Sequence, residues 1–154
     1  MNHAREVELD KLFMRLKAQA IALRRELGQP RLKYERVLDA MTQACGFAAF
    51  GALNDALEAK SPGDAAGPET RPFAYSEMAR DPDLRLLWLF SHDLTSASGV
   101  VDSDWLQLET ALRGVARRLS LGADFMFNAA ARAWCRASDW RQVQERVLER
   151  RLHV

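Results

Sequence analysis

The sequence predicts an all-α protein of about six to seven helices. Three observations carry this. Apolar residues recur at three- and four-residue spacing through several long segments, glycines follow those segments closely, and no strand-rich segment is evident. The first helix has Leu9, Phe13, Leu16, Ala20, Leu23 and Leu27 on one stripe, closed by Gly28 and Pro30. A second helix is expected over Lys33–Cys45, with Tyr34, Val37, Leu38 and Met41 on one face and Gly46 at its end. A third begins near Phe47 and carries Phe50, Leu53 and Leu57.

Residues 59–72, AKSPGDAAGPETRP, have no apolar period and are rich in Pro, Gly and Ala, so they read as a flexible linker. They divide an N-terminal helical subdomain (1–58) from a C-terminal one (73–154), each a long amphipathic helix plus a helical hairpin. After the linker, the apolar run of residues 84–90 fits a buried helix or a strand. Asp81 as N-cap and Pro82 in the first turn favour the helix. TSASG is a loop. Trp105, Leu108, Leu112, Val115 and Leu119 stripe a helix over 103–121 that Gly122 ends. A helix over Asp124–Arg136 holds Phe125, Phe127 and Trp134. Ser138 caps a last helix with Val143, Val147, Leu148 and Leu152 inward and Arg141, Arg146, Arg150 and Arg151 outward.

Two stretches run in parallel. ACGFAAFGAL (44–53) and AWCRASDWRQV (133–143) each place a cysteine near the end of an apolar run, then a turn, then an aromatic five residues after the cysteine, Phe50 or Trp140. The pattern fits a duplicated three-helix unit, and it equally fits two unrelated units sharing the punctuation that helical hairpins require.

The 48% hydrophobic and 28% charged content is that of a globular chain, and the net charge of +1 gives no global pull toward nucleic acid or membrane. The charge is uneven: residues 109–154 hold nine Lys/Arg against five Asp/Glu, whereas 60–108 hold four against eight. The asymmetry suits a charged partner surface, and pairing of the acidic and basic segments between two copies would suit a homodimer. Two cysteines, Cys45 and Cys135, make no disulfide framework and point to a reducing cytoplasm. The mixed-charge N-terminus lacks the apolar core of a signal peptide, and no run is long enough to span a bilayer.

LKAQAIALRRELG followed by LKYERVLDAMTQACGFAAFGAL resembles a short helical domain of bacterial proteins labelled "glyoxalase superfamily protein". Its Lys-x-x-Ala-x-x-Leu-Arg pattern fits Lys17, Ala20, Leu23 and Arg24. Its Gly-Phe-x-x-Trp-x-x-Leu pattern fits Gly46, Phe47, Phe50 and Leu53, with Phe50 in place of Trp. The match covers about residues 12–58, and a degenerate second copy over 103–152 supplies Trp140 but has Ala137 where Phe would stand. Its motifs are packing positions, so the resemblance implies a fold. It implies no glyoxalase chemistry, because His3, His92 and His153 are scattered. Occurrence of such domains beside enzymes, alone and on mobile elements implies an accessory or regulatory role.

No phosphate loop, zinc spacing or catalytic constellation is present in the sequence, so no catalytic, cofactor or metal residue is expected. His92–Asp93 are helix neighbours that do not face each other, and the acid pairs Asp81/Asp83 and Asp102/Asp104 suit helix starts. Trp88, Trp105, Trp134 and Trp140 read as core. The expectation is therefore a non-enzymatic module that binds another protein. The alternative is a DNA-binding regulator using the hairpin at 124–152, with Arg141, Gln142, Gln144, Arg146 and Arg150 reading bases and phosphates and Arg117 and Arg118 adding charge. Arg141/Glu145 and Arg146/Glu149 also suit ordinary surface pairing on a helix.

Overall fold

The computed structural model describes residues 3–60, 75–92, 94–95 and 100–152. Seven α-helices are present among them: α1 (His3–Leu27), α2 (Tyr34–Ala44), α3 (Leu53–Lys60), α4 (Arg85–Ser91), α5 (Asp102–Arg118), α6 (Ala123–Trp134) and α7 (Trp140–Leu152). 3-10 segments at Phe50–Ala52 and Tyr75–Arg80 are also present, and no strand occurs among the described residues. The chain is all-α, and the run at 84–90 is helical.

The helix ends follow local backbone chemistry. Gly28 (φ 61°) and Gly46 (φ 95°) take the left-handed conformation that closes α1 and α2. Beyond α2, the Gly46 amide donates to Gln43 O at 3.0 Å and the Phe47 amide to Thr42 O at 3.2 Å, which satisfies carbonyls the helix leaves open. Arg24 fixes the following loop, donating from Nε to Leu32 O at 2.8 Å. α5 closes the same way with a different residue: Ser120 (φ 58°) holds the left-handed position, and the Leu121 amide reaches Ala116 O at 2.8 Å. Gly122 is therefore the extended residue that precedes α6, and the expected end at Gly122 falls two residues too late. α6 ends at Cys135, with Arg136 left-handed at φ 50°.

Two expected starts also move. Asp81 does not cap α4; its carboxylate accepts the Asp83 amide at 2.9 Å in a turn that precedes the helix, because Pro82 and Asp83 are used up in that turn. Asp139, not Ser138, caps α7: its carboxylate accepts the Gln142 amide at 2.9 Å, while Gln142 Oε1 accepts the Ser138 amide at 2.7 Å.

Packing closes a ring. α1 lies against α2 and α6, and α5 lies against the same two helices from the other side; α4 inserts between α1 and α5. The long helix of each half thus packs on the second helix of the other half as well as on its own. All buried apolar residues among those described fall in one cluster, running from Leu12, Leu16 and Leu23 through Met41, Leu87 and Phe90 to Leu112, Met126 and Trp134. Among the described residues the helices of both halves contribute to one shared core. The reason is area: a unit of three short helices buries too little apolar surface alone to offset chain entropy, and the two stripes complete each other. The linker expected at 59–72 lies outside the described residues, except for Ala59 and Lys60, which finish α3.

Most described residues of the stripes are buried, and the side chains of Leu9 and Leu152 lie outside the described residues. Leu12, absent from the expected α1 stripe, is fully buried, while Phe13 is half-buried with its ring edge-on to Phe50 at 5.6 Å. Leu148, expected inward, is exposed, and so is Phe125.

Candidate interaction surface

Two exposed leucines, Leu106 of α5 and Leu148 of α7, border one pocket between these helices. Asp104, buried near the start of α5, fixes that helix. Its carboxylate receives Arg85 Nε at 3.0 Å and a second guanidinium bond from Nη2, and it also accepts the Val101 amide at 2.8 Å. Arg85 donates as well to Ala79 O at 2.9 Å and lies over the Trp88 ring. A single buried carboxylate thereby ties α4, the turn before it and the start of α5 together.

α7 is attached to α5 by Glu109. Its Oε1 accepts the Trp140 indole N–H at 2.9 Å and the Gln144 amide at 3.0 Å. The Trp140 ring lies between Trp105 (centroids 6.1 Å, edge-on) and Phe127 (5.7 Å, stacked). The backbone amide of Trp140 donates to Asn128 Oδ1 at 3.1 Å. Phe50, its counterpart in the first hairpin, donates its amide to Asp39 Oδ1 at 3.0 Å. Both hairpins thus anchor the aromatic after the turn by a side-chain oxygen from the helix before it.

Between α5 and α7 this leaves a slot of about 290 Å³ lined by Trp105, Glu109, Trp140, Val143 and Val147. Leu106 and Leu148 stand on its rim, 68% and 55% exposed. Leu106 also borders a wider open groove of about 820 Å³, which runs along the other side of α5 past Gly114 to Arg117 and Arg118 and is walled by the Cys45–Phe47 turn. Cys45, half-buried, lines this groove, and desolvation pushes its thiol pKa upward, away from reactivity at neutral pH.

The residues expected to read DNA are dispersed in role. Gln142 holds the start of α7, Gln144 bonds Glu109, and Arg146 donates to Cys135 O at 2.8 Å and Arg136 O at 3.1 Å, closing the end of α6. Arg141 is 86% exposed and pairs with Glu145 at 3.5 Å. Arg117 and Arg118 are exposed in the last turn of α5, where the helix dipole favours cations. The side chain of Arg150 lies outside the described residues. The structure therefore brings Gln144 and Arg146 onto structural partners and leaves Arg117, Arg118 and Arg141 outward. Sequence reading did not single out Glu109 or Leu106, and it took Asp104 only as a helix-start acid. Glu109 and Leu106 lie off every stripe, and Asp104 was absorbed by its position in a helix start.

Trp88, Trp134 and Trp140 are buried, and Trp105 is half-buried beside the slot. His92 stacks on Trp88 at 4.1 Å. Among the described residues no three His, Cys, Asp or Glu side chains are grouped to hold a metal, and no helix is long and apolar enough to cross a membrane. No family model matches the chain, and no curated protein or solved structure matches it significantly.

Proposed function

We propose that this chain is a non-enzymatic accessory or regulatory module that binds another protein through the α5–α7 face. The observation that carries the reading is the pair of exposed leucines, Leu106 and Leu148, on either side of a tryptophan-lined slot. Isolated exposed leucines are ordinary. Two beside one apolar slot form the kind of patch that partner side chains cover, with rigid aromatic residues beneath as anchor sites. The surrounding Asp102, Glu109 and Gln144 supply a polar rim, the usual anatomy of a non-obligate interface. Two free cysteines, one of them buried, suit a reducing compartment such as the cytoplasm.

A photo-crosslinking residue at position 148, compared with the same residue at exposed position 25, tests the reading in the native host. A partner captured from 148, absent from 25, and lost when Leu106→Asp is added to the 148 probe supports it. An identical capture pattern from both positions overturns it. DNA recognition by α7 has less support, since Gln142, Gln144 and Arg146 are engaged within the fold.

A further inference from the structure

We propose a second interaction surface: the outer face of α5 pairs antiparallel with the same face of a second copy of this chain, about a twofold axis at Thr110. The face follows from helix geometry. Leu106, Thr110 and Gly114 are spaced four residues apart, so they share one side of α5, turned away from the buried Leu108, Leu112 and Val115. Leu106 is 68% exposed, and all three border the groove of about 820 Å³ between α5 and the Cys45–Phe47 turn.

The face is complementary to itself. Leu106 and Gly114 each lie four residues from Thr110, about 6 Å along the helix axis on opposite sides. Turning a second α5 end for end about Thr110 brings Leu106 of each copy level with Gly114 of the other. One position offers a large exposed apolar side chain and the other offers none, so knob meets hollow twice in a single isologous contact. Glycine weakens a helix interior, and position 114 is neither a cap nor a positive-φ turn, so the fold of one copy gives it no use. The tip of the Arg118 side chain lies over the hollow, with Nη1 2.9 Å from where a Cβ would stand. Such a flexible tip swings aside at little cost.

Charge selects the same arrangement. Asp102 stands eight residues before Thr110 and Arg118 eight after, with Arg117 beside it, and all three are exposed. Antiparallel pairing sets the acidic first turn of each α5 level with the basic last turn of the other. Parallel pairing would set acid against acid and base against base. A carboxylate accepts several donors, so Asp102 can take a facing guanidinium without giving up a neighbour in its own copy. Exposed pairs of this kind contribute little affinity and mainly fix orientation. At the axis, the Thr110 hydroxyl already donates to Leu106 O at 3.1 Å, so closing two copies there strands no donor. Leu106 also stands on the rim of the α5–α7 slot, so the dimer and a slot-bound protein compete for it. The dimer itself does not rest on that partner, and the purified chain tests it alone.

The test is sedimentation velocity of the purified full chain between about 10 µM and about 1 mM, which brackets the dissociation constant on the order of 100 µM that one helix pair supports. The dimer should weaken as salt rises. Leu106→Asp should remain monomeric. Gly114→Gln fills the hollow with a better helix former, so it should fold at least as well as the parent and dimerise about tenfold more weakly or worse. Crosslinking reads the geometry. In a Cys45→Ala background, a short bifunctional thiol reagent should join Thr110→Cys between copies and should not join Arg25→Cys, at an exposed position of α1. A parent that stays monomeric at about 1 mM would leave the face to a different protein and overturn the proposal. So would a Gly114→Gln dimer as tight as the parent's, or equal crosslinking from positions 110 and 25.

Discussion

Arg146 Nη1 donates to the carbonyl oxygen of Cys135 at 2.8 Å, across the turn that joins α6 to α7. With the second bond to Arg136 O, this one guanidinium closes the end of α6 from the body of α7. A residue that by sequence looks like a base reader is thereby a brace of the hairpin.

Arg146→Ala should therefore lower stability by ~1–2 kcal/mol, the range for charged hydrogen bonds to carbonyls that are left short of donors. Urea denaturation measures it. Arg146→Lys, a point charge without the planar fork, should recover only part of the loss. A change within error of zero would mean that the two carbonyls find water equally well.

Asp104 is 2% exposed and Arg85 keeps 19% of its side chain accessible. Asp104→Ala strands a guanidinium in the interior and should cost ~3–5 kcal/mol, whereas Arg85→Met combined with Asp104→Leu should recover most of that loss. Chemical denaturation of the parent, the single and the double variant separates the pair's value from the penalty of breaking it.

Leu12 and Phe13 are neighbours with opposite surroundings. Leu12→Ala removes a fully buried side chain and should cost ~2–5 kcal/mol. Met14→Ala, at a position 71% exposed, should change stability by less than about 0.5 kcal/mol. Phe13→Ala should fall between them. Equal effects at 12 and 14 would contradict the rotation of α1 about its axis.

Cys45 has its pKa raised by burial from an ordinary value of 9.0. A group shifted upward in the folded state contributes fully below its unfolded value and loses that contribution as pH rises past it. Stability should thus decline above about pH 9, and the decline should be shallower in Cys45→Ala than in the parent. In native buffer at neutral pH, a thiol reagent should modify Cys45 and the buried Cys135 far more slowly than in denaturant.

Much of this fold was legible in the chain. Leu16, Ala20, Leu23 and Leu27 are buried as the α1 stripe requires, and Leu108, Leu112 and Val115 are buried on α5. Periodicity finds such faces because helix geometry is fixed by local bonds. It missed Leu12 because Leu9 and Phe13 completed a regular stripe without it. It placed Leu148 inward by extending a pattern that α6 and α5 do not reach far enough to cover. Ends were harder. Gly28 and Gly46 announce themselves, but Ser120 and Arg136 hold the same left-handed position without a glycine, so nothing in the residue type marks them. The candidate surface was barely legible: Leu106 is an off-stripe leucine, and Glu109 an ordinary helix acid, until α7 is laid beside α5.

That this protein is helical, where most of its helices lie and which of their faces are apolar could all be read from the chain, because those properties follow from spacing, turn residues and local hydrogen bonds. Helix packing alone reveals that the described helices of both halves share one core and that Arg146 and Gln144 serve the fold. These depend on which helix covers which face, and helix packing joins residues far apart in the chain, whose pairing no local spacing records.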